Sequence, residues 1–151
     1  MVNQSRGYPR GMDIKYTATA TSAGDARNGH VQSDDGVLDH NMAMPKELGG
    51  PGGDATNPEQ LFAAGYAACF HQALKLAAGE TKTKVDESKV LAKVGIGPDD
   101  ESFAVQVWLT VTIPGADQET ADKLAERAHQ LCPYSKATRG NIEVSVTAQV
   151  A

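Results

Sequence analysis

Two cysteines are all that the 151 residues contain, and they stand far apart, at positions 69 and 132. No C-x-x-C pair exists. The four histidines, His30, His40, His71 and His129, fall into no H-x-x-x-H or mixed Cys/His zinc spacing. No structural metal is therefore expected. Positive charge is in the minority: 14 Lys and Arg against 19 Asp and Glu give a net charge of −5. A phosphate backbone needs clustered cations, so nucleic acid is not expected as a partner. No apolar run reaches the length of a membrane span. The opening segment MVNQSRGYPRGMDIKY carries positive charge but no apolar stretch behind it, so it is not read as a secretory signal. A cytoplasmic setting is expected, and there a permanent disulfide is disfavoured. Three readings of the cysteines stay open: two inert buried thiols, one catalytic thiol, or a redox pair.

The length suits one domain, or one half of an intertwined dimer. Residues 1–12 read as an N-terminal extension that need not be ordered, with Met12 an alternative start, and residues 13–151 as a single domain. Residues 13–22 alternate, with Ile14, Tyr16, Ala18 and Ala20 on one side and Lys15, Thr17, Thr19 and Thr21 on the other. That pattern predicts a half-buried strand. Asn28-Gly29 predicts a hairpin into a second strand over 29–33, and Asp34-Asp35-Gly36 a turn into a third over Val37–Met44. Residues 45–57 read as a flexible loop; its Gly49-Gly50-Pro51-Gly52-Gly53 run lacks the Gly-Lys-Ser/Thr of a phosphate loop. Asn57-Pro58-Glu59-Gln60 is a helix start, with Asn57 as cap, Pro58 at the first position and Gln60 three beyond the cap. This helix should stop at Gly79, and Gly65 is where it would bend. Strands are expected over Val85–Gly95 and Phe103–Ile113, a helix over Asp117–Leu131 ended by Pro133, and a last strand over Ile142–Val150. The order is βββ-α-ββ-α-β, and hairpin-linked strands imply antiparallel sheets and the α+β class.

The first helix carries no charge from Leu61 to Phe70, LFAAGYAACF. A helix that is apolar all round must be covered on most sides, and one small subunit has little to cover it with. A homodimer with a large apolar interface is therefore expected. Within this helix Cys69 reads as a small core residue or as a nucleophile. A nucleophilic thiol needs a nearby cation, because burial alone raises its pKa. Arg27, in the turn after the first strand, is one such cation, or else an exposed loop charge. His71 lies about 200° around the helix from Cys69 and is a poor general base for it.

NPEQLFAAGYAACF around Cys69 and LCPYSKATRGNI around Cys132 resemble the two signature segments of the organic hydroperoxide resistance (Ohr) branch of the OsmC/Ohr family. ARNGHVQSDDGVLD and MPKELGGPGG resemble its N-terminal segments, so the likeness spans about residues 13–151. The CPYS string favours the Ohr branch over the OsmC branch. Two departures stand out: Asp25-Ala26 precedes the arginine where glycine is usual, and Ala55 replaces another glycine.

The resemblance implies an obligate, intertwined α+β homodimer whose antiparallel sheets pack around central apolar helices. It implies a peroxidase that reduces alkyl and fatty-acid hydroperoxides. By the same resemblance Cys69 is the peroxidatic thiol and Cys132 the resolving one, Arg27 attends the thiolate, and Glu59 orients Arg27. No bound cofactor is implied; the reductant is an external dithiol such as dihydrolipoamide or the lipoyl group of a lipoylated protein. Phe62, Tyr66, Met42, Met44 and Leu48 are the apolar candidates for receiving a substrate tail. Alternatives are an OsmC-type peroxidase of broader range and a non-catalytic redox sensor or binding module. One geometric constraint applies. Glu59 and Cys69 are ten residues apart, about 15 Å along a straight helix. Either the helix breaks near Gly65, or Arg27 and Glu59 serve the partner's Cys69.

Overall fold

The computed structural model describes residues 12–151, which fall into two compact units, one ending at Ala55 and one spanning Thr56–Ala151. The expectations for residues 1–11 lie outside the described residues.

The first unit is a three-stranded antiparallel meander of β1 (Ala20–Ala23), β2 (His30–Ser33) and β3 (Asp39–Asn41). The strand expected over 13–22 forms only at its end. The β1–β2 ladder runs from Ala23↔His30 to Ala20↔Ser33, where β2 gives way to its turn and pairing residues run out. Ile14 and Tyr16 stay 65% and 81% exposed, since alternation supplies two faces but not a neighbouring ladder. The third strand likewise shrinks from 37–44 to three residues. Between β1 and β2 the chain makes one turn of 3-10 helix, Ala26–Asn28. Gly29 is required there, because a Cβ would stand 2.2 Å from the Ala23 carbonyl oxygen. The Asn28 side chain accepts a hydrogen bond from the Met44 N–H at 2.9 Å, tying this turn to the end of the meander. The glycine-rich loop is more structured than expected: Lys46–Leu48 forms a 3-10 turn, and the Gly50 and Gly52 N–H groups bond the Pro45 and Met44 carbonyls.

The second unit is built on α1 (Pro58–Thr81), capped as expected by Asn57, whose side chain accepts from the Gln60 N–H at 2.9 Å. The helix is continuous through Gly65 and runs two residues past Gly79. It ends where Lys82 adopts a left-handed conformation and the Thr83 N–H returns to the Ala78 carbonyl. β4 (Lys89–Pro98) and β5 (Phe103–Thr112) form an antiparallel hairpin, closed by Asp99 Oδ1 accepting from the Glu101 and Ser102 N–H groups. α2 (Gln118–Leu131) and a short α3 (Pro133–Thr138) follow, and β6 (Val144–Gln149) returns beside β5. Here the expected all-antiparallel pairing is corrected: β6 is parallel to β5, with Val107 opposite Val144. A helical crossover brings the chain back in its original direction, so the sheet is mixed while the α+β class stands.

Helix α1 supplies Tyr66, Phe70, Leu74, Ala77 and Ala78 to the core, against Val107, Leu109 and Val111 of β5 and Ala121, Leu124, Ala125 and Ala128 of α2. The expected strand forms and alternates along β5, with Val107, Leu109, Val111 and Ile113 buried while Trp108 stays 40% exposed and Phe103, at the hairpin end, 58%. A different stripe of α1, Gln60, Ala64, Ala68, Gln72 and Leu76 at four-residue spacing, is exposed and carries no charge.

Candidate active site

The two cysteines meet. Cys69 sits on α1 and Cys132 at the junction of α2 and α3, and their sulfurs lie 3.6 Å apart across 63 residues of chain. Small side chains make this approach possible: Ala73 and Ala77 of α1 and Ala121, Ala125 and Ala128 of α2 are buried where the two helices pack. Cys132 is held on both sides. Its N–H closes α2 on the Ala128 carbonyl at 2.8 Å, and its own carbonyl accepts from the Lys136 N–H at 3.0 Å to open α3. Pro133 stops α2, as expected, but also occupies the favoured first position of a new helix. Two thiol exposures result: Cys132 is fully buried, whereas Cys69 is partly open.

Burial pushes the Cys69 thiol above its ordinary pKa, the backbone N–H of Tyr134 pulls it down, and the adjoining Cys132 thiol pushes it up. Desolvation disfavours the thiolate, so a compensating positive group is what a nucleophile here needs.

The Tyr134 N–H reaches Cys69, and the rings of Phe62, Tyr66 and Tyr134 are in contact with one another. Phe62 stands edge-on to Tyr66 at 6.0 Å between centroids, and Tyr134 is tilted against Tyr66 at 5.8 Å. Phe62, Val105, Tyr134, Ala137 and Ile142 line a mostly apolar groove of about 410 Å³. Tyr66 itself is fully buried, and its hydroxyl lies 2.9 Å from Ser135 Oγ and 3.0 Å from Thr138 Oγ1. Ser135 Oγ is in turn 2.7 Å from His129 Nδ1. His71 bonds Ser88 Oγ at 3.0 Å.

The other expected site residues fall as follows. Arg27 is half-buried in the Ala26–Asn28 turn of the first unit, which also holds buried Met42 and half-buried Met44 and Leu48. Glu59 is half-buried in the first turn of α1. The sequence reading missed Tyr134, Ser135, Thr138 and His129. For Tyr134 and Ser135 the signal was the CPYS string itself, where Cys-Pro reads equally as a helix end and as a cap followed by a first-turn proline.

Residues 50–147 match the model of the OsmC-like protein family. An organic hydroperoxide resistance protein of Xanthomonas axonopodis pv. citri is 50% identical over 135 residues, covering 89% of this chain and 94% of that one. The crystal structure of an organic hydroperoxide resistance protein from Elizabethkingia anophelis is similar with a TM-score of 0.87 and 52% identity, over 93% of this chain and all of that one. That of OhrB from Bacillus subtilis is similar with a TM-score of 0.81 and 45% identity, over 89% of this chain and 98% of that one.

Proposed function

This chain belongs to the OsmC/Ohr family, in its organic hydroperoxide resistance branch, and on that premise we propose that it is a thiol peroxidase that reduces organic hydroperoxides to alcohols. The observation that carries the reading is the 3.6 Å separation of two free thiols, one partly open and one buried. The Cys69 thiolate attacks the terminal oxygen of ROOH. The O–O bond breaks, the alkoxide takes a proton to leave as ROH, and Cys69 becomes a sulfenic acid. Cys132 then condenses with it, giving a disulfide and water and sparing Cys69 from further oxidation. A dithiol reduces that disulfide by exchange; a lipoyl group on a protein of the same cytoplasmic compartment is the proposed donor.

Arg27 is the proposed cation. Its guanidinium favours the Cys69 thiolate against desolvation and donates to the departing alkoxide, while Glu59 orients it through a bidentate pair. An unbroken α1, with Glu59 and Cys69 ten residues apart along it, supports an arrangement across two subunits. The proposal is therefore that Arg27 and Glu59 serve the partner's Cys69 in a homodimer. The groove beside Phe62 and Tyr134 suits an alkyl tail, and Met42, Met44 and Leu48 are further apolar candidates for receiving one.

The test is stoichiometry. With dihydrolipoamide present, the protein is expected to consume many equivalents of cumene hydroperoxide, and hydrogen peroxide far more slowly. Cys69→Ser abolishes consumption; Cys132→Ser allows one turnover and then stalls or over-oxidises. Sustained turnover in Cys69→Ser would overturn the assignment, and a single oxidation of the unaltered protein would make it a sensor.

A further inference from the structure

One buried polar arrangement lies beside the thiols and ties together the three segments that carry them. Tyr66 stands three residues before Cys69 on α1, His129 three before Cys132 at the end of α2, and Ser135 three after it in α3. Ser135 is fully buried, and its hydroxyl lies 2.9 Å from the Tyr66 hydroxyl and 2.7 Å from His129 Nδ1. Thr138 Oγ1, also buried, lies 3.0 Å from the Tyr66 hydroxyl and donates to the Ser135 carbonyl. Arg139 donates to the His129 carbonyl, joining the far end of α3 to the last turn of α2. A hydroxyl network in an apolar core is costly unless each member is paired. Here the pairing fixes the start of α3, the segment that presents both Cys132 and the Tyr134 N–H to Cys69.

We infer that Ser135, held by Tyr66 and His129, is a positioning residue for the resolving thiol, setting how often the Cys69 sulfenic acid closes to a disulfide rather than oxidising further. This rests on the thiol-peroxidase reading above. In closure the Cys132 sulfur displaces hydroxide from the Cys69 sulfenic acid. The S–O bond breaks, the S–S bond forms, and the Cys132 proton leaves with the hydroxide as water. In the competing step a second ROOH oxidises the sulfenic acid to a sulfinic acid and is itself reduced to ROH. The sulfurs, 3.6 Å apart, must draw in by about 1.5 Å to reach a disulfide bond of about 2.05 Å. Loosening the start of α3 lengthens that path for Cys132, whereas for Cys69 it weakens only the Tyr134 N–H contact, so closure slows more than the first oxidation. A geometric slip of about 1 Å changes such unimolecular steps by up to roughly 100-fold.

The experiment mixes the fully reduced, full-length protein with cumene hydroperoxide in stopped flow and resolves sulfenic, sulfinic and disulfide products by intact mass. In Ser135→Ala the first oxidation of Cys69 is expected to stay within about 3-fold of the unaltered protein, disulfide closure to slow by roughly 10–100-fold, and the sulfinic fraction per turnover to rise correspondingly. His129→Ala reproduces the effect. His129→Asn, whose amide stands where Nδ1 was, restores closure, which a role confined to packing does not predict. The His129 pair carries the test if Ser135→Ala does not fold. Unaltered partition in a folded Ser135→Ala, equal slowing of both steps, or identical behaviour of the two His129 variants would each overturn the inference. If the unaltered protein forms no Cys69–Cys132 disulfide, the function proposed above falls first, a result separable from all of these.

Discussion

Ala26 is a non-glycine residue in the left-handed region, at φ +47°, immediately before Arg27. Its Cβ makes that conformation unfavourable by about 1–2 kcal/mol, an amount glycine avoids at the expense of a more flexible unfolded chain. Ala26→Gly is therefore expected to be neutral to stabilising by about 1 kcal/mol, and Ala26→Val to destabilise by about 2 kcal/mol. Urea midpoints decide it, and a clear loss in Ala26→Gly would show the backbone there to be unstrained. The histidines offer a second test at this scale. Burial, then Lys75, lowers the pKa of His71, and burial, then Arg139, lowers that of His129. Hydrogen bonds from exposed His30 to Asn41 and Asp39 raise its pKa. NMR titration should place His30 above, and His71 and His129 below, the ordinary value of about 6.5. For the two depressed groups the unfolded chain takes up the proton first. Their contribution to stability is present above that ordinary value and is lost as pH falls through it towards their folded values. His30 works in the opposite sense, stabilising below the ordinary value and ceasing to do so as pH rises through its folded one. His71→Gln should accordingly lose less stability between pH 7 and 5 than the unaltered protein. Cys69 and Cys132 were legible as residues because a local string marks each. The role of Tyr66 was not, since its hydroxyl is satisfied by partners 69 and 72 residues away.

At the scale of elements, local chemistry decided what could be read. The Asn57-Pro58 cap and the span of β5 are set by local signals, and both were realised. The parallel placement of β6 and the shortened β1 depend on which ladder is vacant, which no local pattern reports. Pro133 shows the ambiguity best, since one residue closes α2 and opens α3. Gly65 tests how local preference and packing compete. Within a helix, alanine is favoured over glycine by about 0.5–1 kcal/mol. A Cβ at position 65 would meet the Tyr134 ring at 3.3 Å, closer than a relaxed contact. That ring is 43% exposed and can give way towards solvent. Gly65→Ala should therefore raise the melting temperature while slowing reaction with bulky hydroperoxides, because the displaced ring narrows the groove it shares with Phe62. A fall in melting temperature would mean that Tyr134 is held more firmly than its exposure indicates.

For the molecule as a whole, the charge-free face of α1 sets the terms. Coverage of LFAAGYAACF was the argument for a second subunit, and in the folded chain Gln60, Ala64, Ala68, Gln72 and Leu76 remain open, with Leu76 56% exposed. A solvent-facing helix stripe ordinarily carries charge, whereas an uncharged stripe with small residues at its centre, here Ala64 and Ala68, suits close approach of another helix. The proposed homodimer would cover this stripe, and it would also resolve the separation of Glu59 from Cys69 along one continuous helix. Sedimentation equilibrium should give twice 15.9 kDa. Ala64→Glu puts a carboxylate into the stripe without touching either thiol, and the prediction is dissociation to monomers together with loss of peroxide turnover. Because Cys69 and Cys132 approach within one chain, the monomeric variant should still form the intramolecular disulfide when treated with a chemical oxidant. That split separates the two parts of the proposal: closure belongs to the single chain, and activation of the thiolate to the pair. A monomeric Ala64→Glu protein with full peroxidase activity would leave Arg27 and Glu59 acting within their own subunit and would remove the cross-subunit site.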